Sequence, residues 1–154
     1  MSTTIVETPL TKMDGMKFVS KTRSGFEVAM DAKADVGGDD SAPRPAEMHF
    51  VGLTGCTGMD VISVLRKMRQ DVTRFQINVE GLHRTEEHPK FWDEIMVVFE
   101  VEGDVEPKKL EKAIDLSRTR YCGVSASLRG SVTIHYRYIL NGETTDLPDE
   151  AKEA

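Results

Sequence analysis

The sequence predicts an α+β domain, and three observations carry the prediction. An apolar stretch from Ala46 to about Gln70 repeats at helical spacing. Several shorter segments alternate with a period of two. These elements lack the regular strand–helix–strand rhythm of a parallel α/β sheet, running instead as strands, long helix, strands, helices, strand.

Residues 1–13 are polar and aperiodic and are expected to form a flexible arm before a domain spanning 14–140. Met16 to Ser20 and Phe26 to Met30 alternate around Thr22-Arg23-Ser24-Gly25, the pattern of a hairpin. Asp31 to Pro45, with Gly37-Gly38-Asp39-Asp40-Ser41 and two prolines, is a loop by composition. In the helical stretch Met48, Val51, Leu53, Cys56, Met59, Ile62 and Leu65 recur at three- and four-residue steps, and Phe50, Val61 and Val64 widen the stripe. A helix apolar on most sides is a buried one. Gly52, Gly55 and Gly58 weaken it by about 1 kcal/mol each relative to Ala, which points to close backbone approach by another element. At about 1.5 Å per residue the stretch would span roughly 37 Å, long enough to lean on a second subunit.

Phe75, Ile77 and Val79 mark one strand, and Ile95, Val97, Phe99 and Val101 the next. Met96 and Val98 make the second apolar on both faces, hence internal to its sheet. Between them Gly81 to Pro89 reads as a charged connection, and Phe91 and Trp92 as core or dimer contacts. Pro107 opens a helix whose Leu110, Ala113, Ile114, Ser117 and Tyr121 share a stripe. Cys122-Gly123 interrupts it, Val124 to Leu128 forms a short helix ended by Gly130, and Val132 to Tyr138 alternates as a last strand. From Asn141 to 154 the chain is polar, the composition of a frayed tail.

The formal charge of −6 and the lack of a basic stripe argue against nucleic acid or an anionic membrane as partner. Met1 to Leu10 has no secretory pattern, and no apolar run approaches the roughly 20 residues of a membrane span. The chain is therefore expected to be cytoplasmic. Two cysteines, 66 positions apart, and four scattered histidines give no metal-binding spacing, so no metal or cofactor is predicted. In a reducing compartment such cysteines are catalytic, redox-sensing or simply buried.

The stretch Pro45-Ala46-Glu47-Met48 leading to Gly55-Cys56-Thr57-Gly58-Met59-Asp60-Val61 resembles the OsmC/Ohr family. A second match is Ala113 to Ser117, continuing through Tyr121-Cys122-Gly123-Val124-Ser125. The resemblance covers roughly 14–140 and looks nearest the branch with Gly-Cys-Thr/Ser at the first cysteine. It implies an intertwined homodimer, with extended antiparallel sheets packed on long central helices. It also implies a hydroperoxide reductase in which Cys56 is the peroxidatic nucleophile and Cys122 the resolving thiol. Organic hydroperoxides would be the substrates and a lipoyl-type dithiol the reductant.

Peroxide reduction needs a thiolate, which the peroxide oxidises to a sulfenic acid; a second thiol then condenses with it. Asp60, one turn after Cys56, would raise the thiol pKa if charged and close. The family pattern supplies a cation, an arginine from the N-terminal hairpin paired with a glutamate before the helix; here Arg23 is the candidate, or a solvated turn residue. The family's glutamate lies ten residues before the nucleophile, a position occupied by Ala46. Glu47 is one residue away, a rotation of about 100°, and serves either there or as a first-turn carboxylate. Met48, Met59 and His49 are candidates for lining a lipophilic substrate site, with core packing as the ordinary role for the methionines and a structural hydrogen bond for the histidine. The rival reading is a small-molecule-binding protein of the same fold whose cysteines are inert.

Overall fold

The computed structural model describes residues 6–149. Its elements are β1 (Val6–Glu7), β2 (Phe18–Thr22), β3 (Glu27–Met30), a 3-10 turn (Ala34–Val36), α1 (Pro45–Lys67), β4 (Asp71–Arg84) and β5 (Trp92–Asp104). There follow α2 (Pro107–Leu116), a π turn (Ser117–Tyr121), α3 (Gly123–Leu128), β6 (Thr133–Leu140) and β7 (Glu143–Asp146). The α+β class is as the periodicities predict. The chain divides into two compact units between His49 and Phe50, in the second turn of α1.

The N-terminal unit carries an antiparallel sheet in the order β1-β2-β3. The hairpin turns where Ser and Gly place it, with the Gly25 amide donating to the Thr22 carbonyl. Val6 and Glu7, within the expected arm, instead pair with Thr22 and Lys21; residues 1–5 of that arm lie outside the described residues. The loop after β3 is organised by one buried carboxylate. Asp31 accepts from the amides of Ala32, Asp39 and Ser41 and from the Ser41 hydroxyl. These donors, led by the Ser41 amide, hold its pKa down at about 2.

The C-terminal unit is built on a sheet of order β4-β5-β6-β7. β5 lies between β4 and β6, and its Ile95, Val97, Val98, Phe99 and Val101 are buried, as its two apolar faces predict. Two details differ from the sequence reading. The sheets are not wholly antiparallel: β5 and β6 run parallel from Glu94↔Thr133 to Val101↔Leu140. The reason is the crossover through α2 and α3, since a parallel pair needs a long connection where a hairpin would force antiparallel pairing. Strand β4 also runs on to Arg84, through irregular register at Gly81/His83 and His83/Arg84, into residues read as a connection. Residues 143–146, read as frayed tail, form β7 against β6, whereas 150–154 lie outside the described residues.

Helix α1 closes with Arg69 at positive φ and the Gln70 amide on the Leu65 carbonyl, a left-handed C-terminal cap. Leu53, Thr57, Gly58, Val61, Val64 and Leu65 of α1 are buried, and its apolar members join β5, α2 and β6 in one core. At 23 residues α1 is also apolar enough, by length and composition, to cross a membrane, which corrects the sequence reading. The Val, Leu, Ile and Met residues of its stripe raise its hydropathy that far; Leu53, Val61, Val64 and Leu65 among them supply core to this unit, whereas Val51 and Met59 are exposed. Only one of its three glycines meets a close neighbour. A Cβ on Gly58 would lie 2.8 Å from Ile77 Cδ1, whereas Gly52 and Gly55 have nothing within 4 Å.

Candidate functional site

Two chain segments that are distant in sequence meet beside the core. The first is the middle of α1, where Cys56 is half-buried next to buried Thr57, and Asp60 follows one turn later. The second is the π turn after α2, whose Ser117 carbonyl accepts the Cys122 amide at 2.9 Å. A π turn takes up one residue more than an α turn and is frequent at functional sites. Here it ends the buried stripe of α2 at Ser117, leaves Tyr121 55% exposed rather than on that stripe, and releases the chain into extended backbone at Cys122.

The Sγ atoms of Cys56 and Cys122 and a carboxylate oxygen of Asp60 all lie within 4.8 Å of one another. Both cysteines are free thiols. Cys122 is 3% exposed. Its Sγ accepts the Ser125 amide at 3.4 Å, and the Ser125 hydroxyl donates to the Cys122 carbonyl at 2.9 Å, so the cysteine caps α3. Burial pushes the Cys122 thiol up from its ordinary value; the Ser125 amide opposes this, and the neighbouring Cys56 adds to it. At neutral pH Cys122 is accordingly a neutral thiol.

Behind the sulfurs runs a short polar chain. Ser117 donates its hydroxyl to Asp60 Oδ2 at 3.0 Å and lies 2.8 Å from the Thr57 hydroxyl. The Ser117 proton is used on Asp60, so Thr57 donates to Ser117. Ser117 and Thr57 are 0% and 1% exposed, which makes these bonds obligatory rather than incidental. Sequence reasoning singled out Asp60 but not Thr57, Ser117 or Ser125. The available signal was the spacing: Thr57 adjoins Cys56, and Ser117 and Ser125 flank Cys122.

The other candidates belong to the N-terminal unit or to the surface. Arg23 stands at the hairpin tip beside Ser24. Glu47 reaches back so that its Oε2 accepts the Arg44 amide at 2.8 Å, while its own amide donates to the Arg44 carbonyl. That is the reciprocal bonding of a helix N-terminus. Met48 is half-buried and His49 exposed. Met59, on the C-terminal unit, is 73% exposed.

Residues 38–137 match the family model described as OsmC-like protein. Protein YhfA of Escherichia coli (strain K12) is 34% identical over 127 residues, covering 82% of this chain and 91% of that protein. The crystal structure of a hypothetical protein from Aquifex aeolicus VF5 superimposes with a TM-score of 0.77 at 32% identity, covering 92% of this chain and 98% of the other. An organic hydroperoxide resistance protein from Elizabethkingia anophelis, crystallised with thiocyanate bound, gives a TM-score of 0.67 at 16% identity over 92% and 98% of the two chains. At that identity the likeness is one of fold.

Proposed function

Since the chain belongs to the OsmC-like protein family, we propose that it is a thiol-dependent hydroperoxide reductase, with Cys56 peroxidatic and Cys122 resolving. One observation carries this reading: two thiols 66 positions apart are folded to within 4.8 Å, one partly exposed and one buried. Family neighbours named as organic hydroperoxide resistance proteins supply the substrate class.

In the first step the Cys56 thiolate attacks the distal oxygen of ROOH. The O–O bond breaks, the sulfur becomes a sulfenic acid, and the alkoxide leaves as ROH after taking up a proton. In the second step the Cys122 sulfur attacks the Cys56 sulfenic sulfur, forming the disulfide and releasing water. A small dithiol of the lipoyl class then restores both thiols by exchange and is itself oxidised to a disulfide. Exposure favours this order of roles, because a peroxide reaches Cys56 more readily than Cys122. The neutral state of Cys122 at neutral pH keeps it from competing for the oxidant.

The reading includes a cytoplasmic homodimer. Val51 and Met59, 56% and 73% exposed on α1, offer apolar surface to a second copy or to the organic part of a substrate. A reducing compartment keeps the dithiol partner available.

The test is non-reducing mass mapping after one equivalent of cumene hydroperoxide, on wild type and Cys122→Ser. The expected products are a Cys56–Cys122 disulfide in the first and a Cys56 sulfenic acid in the second. Both thiols remaining reduced would overturn the reductase reading in favour of a binding protein with inert cysteines.

A further inference from the structure

We propose that the reduced site is also a binding site for a thiophilic divalent cation of the Zn2+ class, held by Cys56 Sγ, Cys122 Sγ and a carboxylate oxygen of Asp60. Among the described residues this is the one group of three His, Cys, Asp or Glu side chains whose donor atoms converge closely enough for a shared ion. The proposal does not depend on the hydroperoxide cycle; it needs only two free thiols and a carboxylate at these positions.

The geometry fits the ion. Zn–S bonds of about 2.3 Å at a tetrahedral angle put two thiolates about 3.8 Å apart, and a Zn–O bond of about 2.0–2.2 Å brings the carboxylate slightly nearer. All three donor atoms already lie within 4.8 Å of one another, so closing on the ion takes side-chain adjustments and no rearrangement of the backbone. Two sulfur donors out of three select a soft or borderline cation over Mg2+ or Ca2+, which take oxygen ligands. Cys56 and Asp60 are one helical turn apart on α1 and present their donors together.

The surroundings are those of supported ligands. Ser117 holds Asp60 Oδ2 at 3.0 Å and so orients the carboxylate, and Thr57 in turn holds Ser117. The Ser125 amide points at Cys122 Sγ at 3.4 Å and would steady a thiolate there. Such partners beyond the ligands fix orientation and sustain affinity. Three protein ligands leave a fourth position for water or a small exogenous ligand, the pattern of an open rather than a structural zinc site.

The ion takes both sulfurs as thiolates, so binding releases protons to the buffer. Two charges of the ion are matched by two thiolates, and the Asp60 carboxylate makes the site net anionic. Metal-bound and disulfide-bonded forms use the same two sulfurs and exclude each other.

The sequence expectation of no metal site rested on spacing along the chain. Cys56 and Cys122 are in no zinc-like spacing, and it is the fold that adds the second thiol to the Cys56–Asp60 pair.

The experiment titrates the reduced, chelator-treated full chain with Cd2+, followed by its thiolate-to-metal charge-transfer absorption, and repeats the titration with Zn2+ against a chromophoric chelator. No peroxide is present, so failure here and failure of the reductase reading are separate results. The expected result is one ion per chain, loss of two thiols to Ellman's reagent, and release of protons in weak buffer. Cys56→Ser and Cys122→Ser each abolish the one-to-one complex, and Asp60→Asn weakens Zn2+ binding by more than about tenfold, since losing even a supporting partner costs that much. Wild type alkylated at both thiols provides a control that needs no folding of a variant; it must lose the complex. The proposal is overturned by the absence of a charge-transfer band, by an ion bound without one, by binding that survives alkylation, or by Asp60→Asn binding as well as wild type.

Discussion

Ser117 donates its hydroxyl proton to the Asp60 carboxylate across 3.0 Å, joining the turn that delivers Cys122 to the helix that carries Cys56. Removing that hydroxyl strands the buried Thr57 hydroxyl as well as the Asp60 oxygen. Ser117→Ala is therefore expected to destabilise the protein by about 1–3 kcal/mol, the cost of leaving buried polar groups unsatisfied. Urea denaturation reads the loss. The same variant should form the Cys56–Cys122 disulfide more slowly under a mild oxidant, because the two segments lose their tie. A variant as stable as wild type would mean that the bond does not organise the site.

The single tryptophan reports on the end of β4 and the start of β5. A Cβ on Gly81 would lie 2.6 Å from the Trp92 ring, well inside van der Waals contact. Gly81→Ala should displace the indole, which is already 36% exposed, and shift its fluorescence to longer wavelength. Overpacking of this kind costs about 1–3 kcal/mol, with the lower end expected because the ring can move towards solvent. Unchanged emission and stability would show that the ring does not rest on the glycine.

Much of this arrangement was legible in the residues, and the illegible parts have physical reasons. Helix α1 is written in three- and four-residue apolar steps because one of its faces is core, and β5 in apolar residues on both faces because both are covered. Strand β7 is Glu-Thr-Thr-Asp, without apolar alternation, because it is an edge strand held mainly by backbone pairing to β6. The parallel pairing of β5 with β6 is a tertiary choice with no local signature. At the site, composition left Cys56 and Cys122 open between catalysis, redox sensing and burial, and only the family resemblance gave them distinct roles. Thr57 and Ser117 were hidden because small polar residues on an apolar stripe look like tolerated members of that stripe. Their significance depends on facing each other, and no periodicity within either helix encodes that.

His135 is expected to titrate above its ordinary value of 6.5. The Asp149 carboxylate at 2.6 Å from Nδ1 is the larger cause and Glu94 at 2.9 Å from Nε2 supports it, against some opposition from burial. A raised folded-state value means that the folded protein holds the proton more tightly than the unfolded chain. The stabilisation is thus fully present below pH 6.5 and is lost as pH rises through the raised value. It should not exceed about 1 kcal/mol, because Asp149 is 66% exposed and solvent screens the pair. Proton NMR of the imidazole checks the midpoint, and Asp149→Asn should bring it down; a His135 midpoint at or below 6.5 in wild type would contradict the network.

Alkaline pH tests the second thiol. Burial raises Cys122 above its ordinary value of 9.0, and Cys56 adds to the rise. The folded state therefore keeps the proton over a pH range where the unfolded chain has lost it. The stabilisation is complete below pH 9.0 and declines as pH climbs from there through the raised value. Lysines and tyrosines titrate in the same window, so the informative quantity is the difference between wild type and Cys122→Ser. Denaturation of the reduced proteins at stepwise pH should give a steeper alkaline loss in wild type than in the variant. Cys56→Ser removes one of the causes that raise Cys122, so its remaining thiol should ionise at a lower pH than Cys122 does in wild type, followed by thiolate absorbance. Equal alkaline slopes in wild type and Cys122→Ser would mean that burial does not hold Cys122 neutral. Cys122 would then stand aside while Cys56 meets the oxidant through its lower exposure alone.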